Sequence, residues 1–151
     1  MTLTVQTKTT QSELNLQIAN WSVLYTKLHR FHWYVKGPSF FTLHAKFEEL
    51  YNEAALTVDE VAERLLAIGG QPIATMKEYL EAATIEESAN ETKAVEMVAT
   101  LVKDYTAIKE SLNELAALTD AEGDTITNDL AIGLIGKIDT HVWMLNAYLE
   151  A

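Results

Sequence analysis

Four stretches of this chain carry apolar residues mostly three or four places apart, and the gaps between the stretches are unequal. In the first, Leu14, Ile18, Trp21, Tyr25 and Leu28 follow the period of a core-facing helical stripe, and the next place on that stripe is His32. Gly37-Pro38 ends it, because proline disfavours helical geometry at the residue before it and glycine accepts the turn. A second helix is expected from Ser39 to Ile68, with Leu43, Phe47, Leu50, Ala54, Val58, Val61, Leu65 and Ile68 toward the core, before "GGQP" stops it. The third reads from Glu91 to Leu118 through Val95, Val98, Leu101, Val102, Tyr105, Ile108, Leu112 and Leu115. After "TDAEGD", read as an acidic loop, Asp124 or Thr125 caps a last helix through Ile126, Leu130, Leu134, Ile138, Val142, Leu145 and Leu149.

The gaps decide how these helices connect. The first and third are a few residues long, as antiparallel neighbours need, but about twenty residues separate Ile68 from Glu91. A helix of the second one's length spans roughly 43 Å, so a link this long can return along it and leave helices two and three parallel. Within the link, "ATMKEYLEAA" is expected to form a short extra helix. The expected fold is therefore an all-α four-helix bundle with one long crossover carrying a short helix. At 151 residues the chain fits one domain, placed at residues 13–151 behind a flexible N-terminal tail over residues 1–12.

Charge narrows the partners. The formal net charge is −11, and residues 76–151 hold most of it, with five Lys or Arg against fifteen Asp or Glu, whereas residues 1–75 hold six against seven. Such a chain repels phosphate backbones and anionic lipid and attracts cations. Cysteine is absent, which removes disulfides, thiolate metal sites and a cysteine nucleophile. The opening "MTLTVQTKTTQSE" has no apolar core of signal-peptide length, and no segment offers the roughly 18 apolar residues of a membrane span. A cytoplasmic protein without membrane contact is expected.

The second helix carries a polar stripe apart from its core stripe. Taking about 100° per residue and His44 as zero, Glu48 falls near 40°, Asp59 near 60° and Glu63 near 100°, while the core stripe centres near −80°. The small residues Ala55 and Ala62 share the polar face, leaving room for a close neighbour. His44 and Glu48 are four apart, as are Asp59 and Glu63, so each pair is spaced to grip a cation. The two pairs, however, lie fifteen residues apart, about 22 Å along the axis. One chain cannot bring both to one metal. A second copy, packed antiparallel about a two-fold axis on this face, sets His44 and Glu48 of one subunit against Asp59 and Glu63 of the other, and symmetry then makes two such sites per dimer. His32, just before the Gly-Pro break, is placed to add a second imidazole. Two histidines and three carboxylates suit Fe(II), Mn(II) or Zn(II).

The pattern H-x11-H-x3-E-x10-D-x3-E, with "HWYVKG", "FFTLHAKFEELYNEA", "AERLLAIGGQPIATMKEYL" and "HVWMLNAYL", resembles the Dps family of mini-ferritins, in particular its acidic members that do not bind DNA. The resemblance runs from about Leu14 to Leu149. It implies a hollow homododecameric shell and a ferroxidase that stores iron and protects against oxidative stress. Fe(II) would be oxidised, preferentially by hydrogen peroxide, at two-iron sites between subunits, and the ferric product would mineralise inside. The ligands implied are His32, His44 and Glu48 from one subunit with Asp59 and Glu63 from its mate. The family more often has Asp at the position of Glu48. Trp33 matches the family's site-adjacent tryptophan, a sink for stray oxidising equivalents, and Asp124 and Asp129 fall where the family's three-fold pores are lined by acids. An acidic turn ahead of a helix is also an ordinary solvated cap.

His29 and His141 belong to no such set and are read as structural or surface residues, and Trp21 and Trp143 as core or interface packing. Two other classes are weighed against the ferroxidase. A DNA-protecting binder is disfavoured, because family members that bind DNA generally use a basic terminal tail, whereas "MTLTVQTKTTQS" offers only Lys8. A structural shell with an inactive, zinc-occupied site is the other, and ligand identity alone leaves it open.

Overall fold

In the computed structural model, which describes residues 7–151, the chain is five helices: α1 Thr10–Tyr34, α2 Phe40–Ala67, α3 Met76–Ala82, α4 Ala94–Glu122 and α5 Thr125–Leu149. Half of the expected N-terminal tail, residues 1–6, lies outside the described residues. Helix α1 begins three residues before the expected domain boundary at residue 13, because Thr9 and Ser12 form a reciprocal capping box at its start.

Cross-links between helices fix their directions. Thr10 meets Glu122, Gln17 meets Ser111 and Lys27 meets Asp104, so α1 and α4 are antiparallel. Ser39 meets Tyr148, Glu53 meets His141 and Arg64 meets Thr127, so α2 and α5 are antiparallel as well. With α1–α2 and α4–α5 as hairpins, α2 and α4 run parallel, which is the arrangement that the long link requires. Two asparagines of α1 hold that link down. Asn15 accepts from the backbone of Ile73, and the fully buried Asn20 accepts from the backbone N–H groups of Thr84 and Ile85 at 2.8 and 3.3 Å.

The core is built from the expected stripes, with Leu14, Ile18, Trp21 and Leu28 of α1 against Leu101, Tyr105, Ile108 and Leu112 of α4, all 1% exposed or less. Each such side chain contributes about 1.5–3 kcal/mol on burial. Three expected core residues are instead on the surface. Tyr25, at the rim of α1, is 37% exposed, and Val95 and Ile126 fall in the first turns of α4 and α5, where a helix end leaves the bundle and neighbours thin out. Trp143 is likewise exposed, so it is no part of this chain's core.

The segment read as an acidic loop is mostly helix. Residues 119–122 continue α4, and the turn into α5 is only Gly123 and Asp124. Gly123 takes φ +73, the left-handed conformation that ends helices, and its N–H and that of Asp124 bond back to Asp120 and Thr119 carbonyls. At the other end, α4 begins at Ala94 rather than Glu91, whose carboxylate instead receives the Ser88 hydroxyl and the Ala89 N–H in the link. Among the described residues no helix is long and apolar enough to cross a membrane.

Candidate metal centre

The break between α1 and α2 is short and stiff. Val35 is buried, Gly37 takes φ +100, and the Phe40 N–H bonds to the Gly37 carbonyl at 3.0 Å. A side chain at Gly37 would be strained in that conformation. The turn folds the end of α1 onto the start of α2 and so brings two side chains together that are twelve residues apart.

His32 and His44 stack, with ring centroids 3.7 Å apart and planes within 15°. Each ring bonds to the other residue's backbone: Nδ1 of His32 lies 2.7 Å from the His44 carbonyl, and Nδ1 of His44 lies 2.8 Å from the His32 carbonyl. A carbonyl oxygen has no proton to give, so both Nδ1 atoms must donate. In the neutral ring that places a lone pair on each Nε2, the atom left for a metal. The arrangement also solves a local problem, since the His32 carbonyl lies in the last turn of α1 and has no intrahelical donor. His32 is 7% exposed, which shields the pair without closing it off.

Glu48 sits one turn further along α2. Its Oε1 receives a hydrogen bond from the Tyr51 hydroxyl at 3.2 Å. Burial first, and then the Glu48 charge, push the Tyr51 phenol above its ordinary pKa, so the hydroxyl stays a donor. The Tyr51 ring lies flat on His29, with centroids 3.8 Å apart, and edge-on to His32 at 5.3 Å. His29 in turn lies 5.2 Å from Trp33, which is 67% exposed. Tyr51 was missed in the sequence. Its position three residues after Glu48, on the same helical face, was the available signal.

The other two expected ligands are elsewhere. Asp59 and Glu63 are exposed on α2 some four turns beyond His44. Among the described residues no three His, Asp or Glu side chains of one chain converge on a common point. A single chain therefore offers a stacked imidazole pair at the α1–α2 break, the Glu48 carboxylate one turn along α2 in the hold of Tyr51, and an exposed carboxylate pair further along the same helix.

The two acids read as pore residues also differ. Asp124 caps α5 by accepting from the Thr127 N–H at 3.1 Å and pairs with Arg64 at 3.2 Å. The Thr127 hydrogen bonds, with help from Arg64, hold its carboxyl below the ordinary range. Asp129 is exposed.

His141 lies inside the bundle, where its Nε2 is 2.7 Å from Glu53 Oε2. Burial opposes the Glu53 charge, but the hydrogen bond and electrostatic attraction of His141, with the charges of Lys137 and Lys46, outweigh it and lower the carboxyl below its usual value. Glu53 Oε1 and His141 Nδ1 are buried with no partner among the described residues.

The family described as a ferritin-like domain matches residues 11–151. The chain is 54% identical over 137 residues to DNA protection during starvation protein 2 of Bacillus anthracis, covering 91% of this chain and 94% of that protein. It is 53% identical over 136 residues to general stress protein 20U of Bacillus subtilis, covering 90% and 94%. Among solved structures, Dps from Staphylococcus aureus superposes with a TM-score of 0.91 at 50% identity, over 93% of this chain and 94% of that one.

Proposed function

The chain belongs to the Dps family of ferritin-like proteins, and on that premise we propose that it is an iron-storing, iron-detoxifying ferroxidase whose sites form between subunits. The observation that carries the reading is the locked tautomer of the His32 and His44 pair, in which both Nδ1 atoms are engaged by carbonyls and both Nε2 lone pairs are left for Fe(II). In this reading His32, His44 and Glu48 of one subunit bind the metal together with Asp59 and Glu63 of a second. The carboxylates offset the metal charge and the neutral imidazoles hold it.

Iron is the substrate and the stored cargo, and each site takes a pair of Fe(II) ions. Two Fe(II) reduce one hydrogen peroxide to water in a two-electron step, taking up two protons and releasing no hydroxyl radical. Trp33, exposed beside His29 at the mouth of the half-site, is suited to absorb stray oxidising equivalents. The ferric product is stored in a hollow cytoplasmic shell, for which twelve copies is the family's arrangement. Asp129, and in part Asp124, draw Fe(II) toward that shell.

The name of the Bacillus anthracis relative speaks of DNA protection. For this chain, with a net charge of −11, protection by removing iron and peroxide fits better than direct binding to phosphates. The test is anaerobic loading with Fe(II), addition of peroxide, and comparison of wild type with His44→Ala and Asp59→Asn. Both variants are expected to lose the fast oxidation. Wild-type rates in both, or a mobility shift of DNA at moderate salt without divalent cations, would overturn the reading.

A further inference from the structure

The five residues above leave one tightly held group unassigned, and it touches a ligand. We propose that Tyr51 is a positioning residue for the metal site: its hydroxyl holds Glu48 Oε1, so that the carboxylate meets the incoming cation already oriented. The proposal rests on the reading of His32, His44 and Glu48 as ligands.

Three observations support it. The hydroxyl donates to Glu48 Oε1 at 3.2 Å across one turn of α2. The ring cannot easily swing away, since it is stacked on His29 at 3.8 Å and met edge-on by Tyr25 at 6.0 Å and by His32 at 5.3 Å. His29 is itself tied to α1, with Nδ1 3.3 Å from the Tyr25 carbonyl. Tyr51 thus spans the two helices that carry the half-site, and it contacts one ligand through a hydrogen bond and another through its ring edge.

The chemistry gives this contact a purpose. A glutamate has one more rotatable bond than an aspartate, and that freedom must be lost when the carboxylate binds a metal. Fixing Oε1 beforehand removes part of the loss from the binding step, which raises affinity without adding any metal contact. Carboxylates that ligate metals are commonly held in this way by an outer hydrogen bond, and removing such a bond typically costs tenfold or more in metal affinity.

The test uses the assembled protein and Co(II), whose visible absorption reports coordination without redox chemistry. Tyr51→Phe keeps the ring and its stacking, so assembly size and unfolding midpoint are expected to hold, while Co(II) binding weakens about tenfold. In a Glu48→Ala background the same substitution is expected to change binding less than about twofold, because the group it positions is gone. Unchanged binding in Tyr51→Phe, or the same loss in both backgrounds, would overturn the proposal. His44→Ala serves as the separate check: if it binds Co(II) as wild type does, the ligand reading itself fails and the role of Tyr51 falls with it.

Discussion

At the α1–α2 break, His32 and His44 turn Nδ1 inward to backbone carbonyls and leave Nε2 uncommitted, whereas in the bundle His141 commits Nε2 to Glu53 and buries Nδ1 without a partner. Glu53 lies about 180° round α2 from His44, so one helix serves both arrangements on opposite faces. The difference lies in which nitrogen the fold occupies. Carbonyls on Nδ1 fix the ring with Nε2 open; a carboxylate on Nε2 closes the ring into a strut between α2 and α5. Histidine next to glutamate is thus not a metal site by composition alone.

The comparison breaks most sharply under two single substitutions. His44→Ala is expected to slow peroxide-driven Fe(II) oxidation by about 100-fold while leaving assembly intact, and His141→Leu to change it less than about twofold. Stopped-flow absorbance of the ferric product separates them. Comparable losses in both would mean that the two histidines do not differ as described.

Stability should order them the other way. His141→Leu leaves the half-buried Glu53 carboxylate without its donor and is expected to cost about 1–3 kcal/mol in urea unfolding, with Glu53→Gln below that. The pH dependence has a definite sign. The Glu53 carboxyl is depressed in the folded chain, so its stabilisation is present above the unfolded-state value near 4.3 and disappears as pH falls through the lower, folded value. Below about pH 5 the gap between wild type and Glu53→Gln should narrow, and it should close as the Glu53 carboxyl takes up its proton. A gap that widens on acidification would contradict the assignment.

The smallest effect separates chemistry from delivery. Asp129→Lys is expected to slow iron uptake a few-fold at low salt and hardly at all at high salt, with peroxide reactivity of loaded sites unchanged. Asp124→Lys is less clean, because Asp124 also caps α5 and pairs with Arg64.

Much of the fold was legible because period and gap length are local facts. The stripes containing Leu14, Phe47, Leu101 and Leu134 located four helices, and the length of one link implied the parallel pair. The end of α4 was misread because Asp120 and Glu122 look like loop residues, while Gly123, one place later, sets the boundary through its backbone conformation. Tyr25 was misread because an amphipathic ring at a stripe's edge serves the rim as well as the core. At the site, spacing placed His32 near His44 and set the Asp59 and Glu63 pair too far along α2 to join them within one chain. It did not show the reciprocal Nδ1 bonds, which depend on how the Gly37 turn closes, or the Glu48 contact to Tyr51.

In the proposed centre each site takes its two halves from different copies. Mixing His44→Ala with Asp59→Asn, unfolded together and reassembled in equal amounts, reads this out. Across a two-fold interface, a mixed pair has one site with both substitutions and one with neither, so random pairing should restore about one quarter of the wild-type oxidation rate. No recovery above that of the separately reassembled variants would contradict the account, because a site built within one chain gains nothing from mixing.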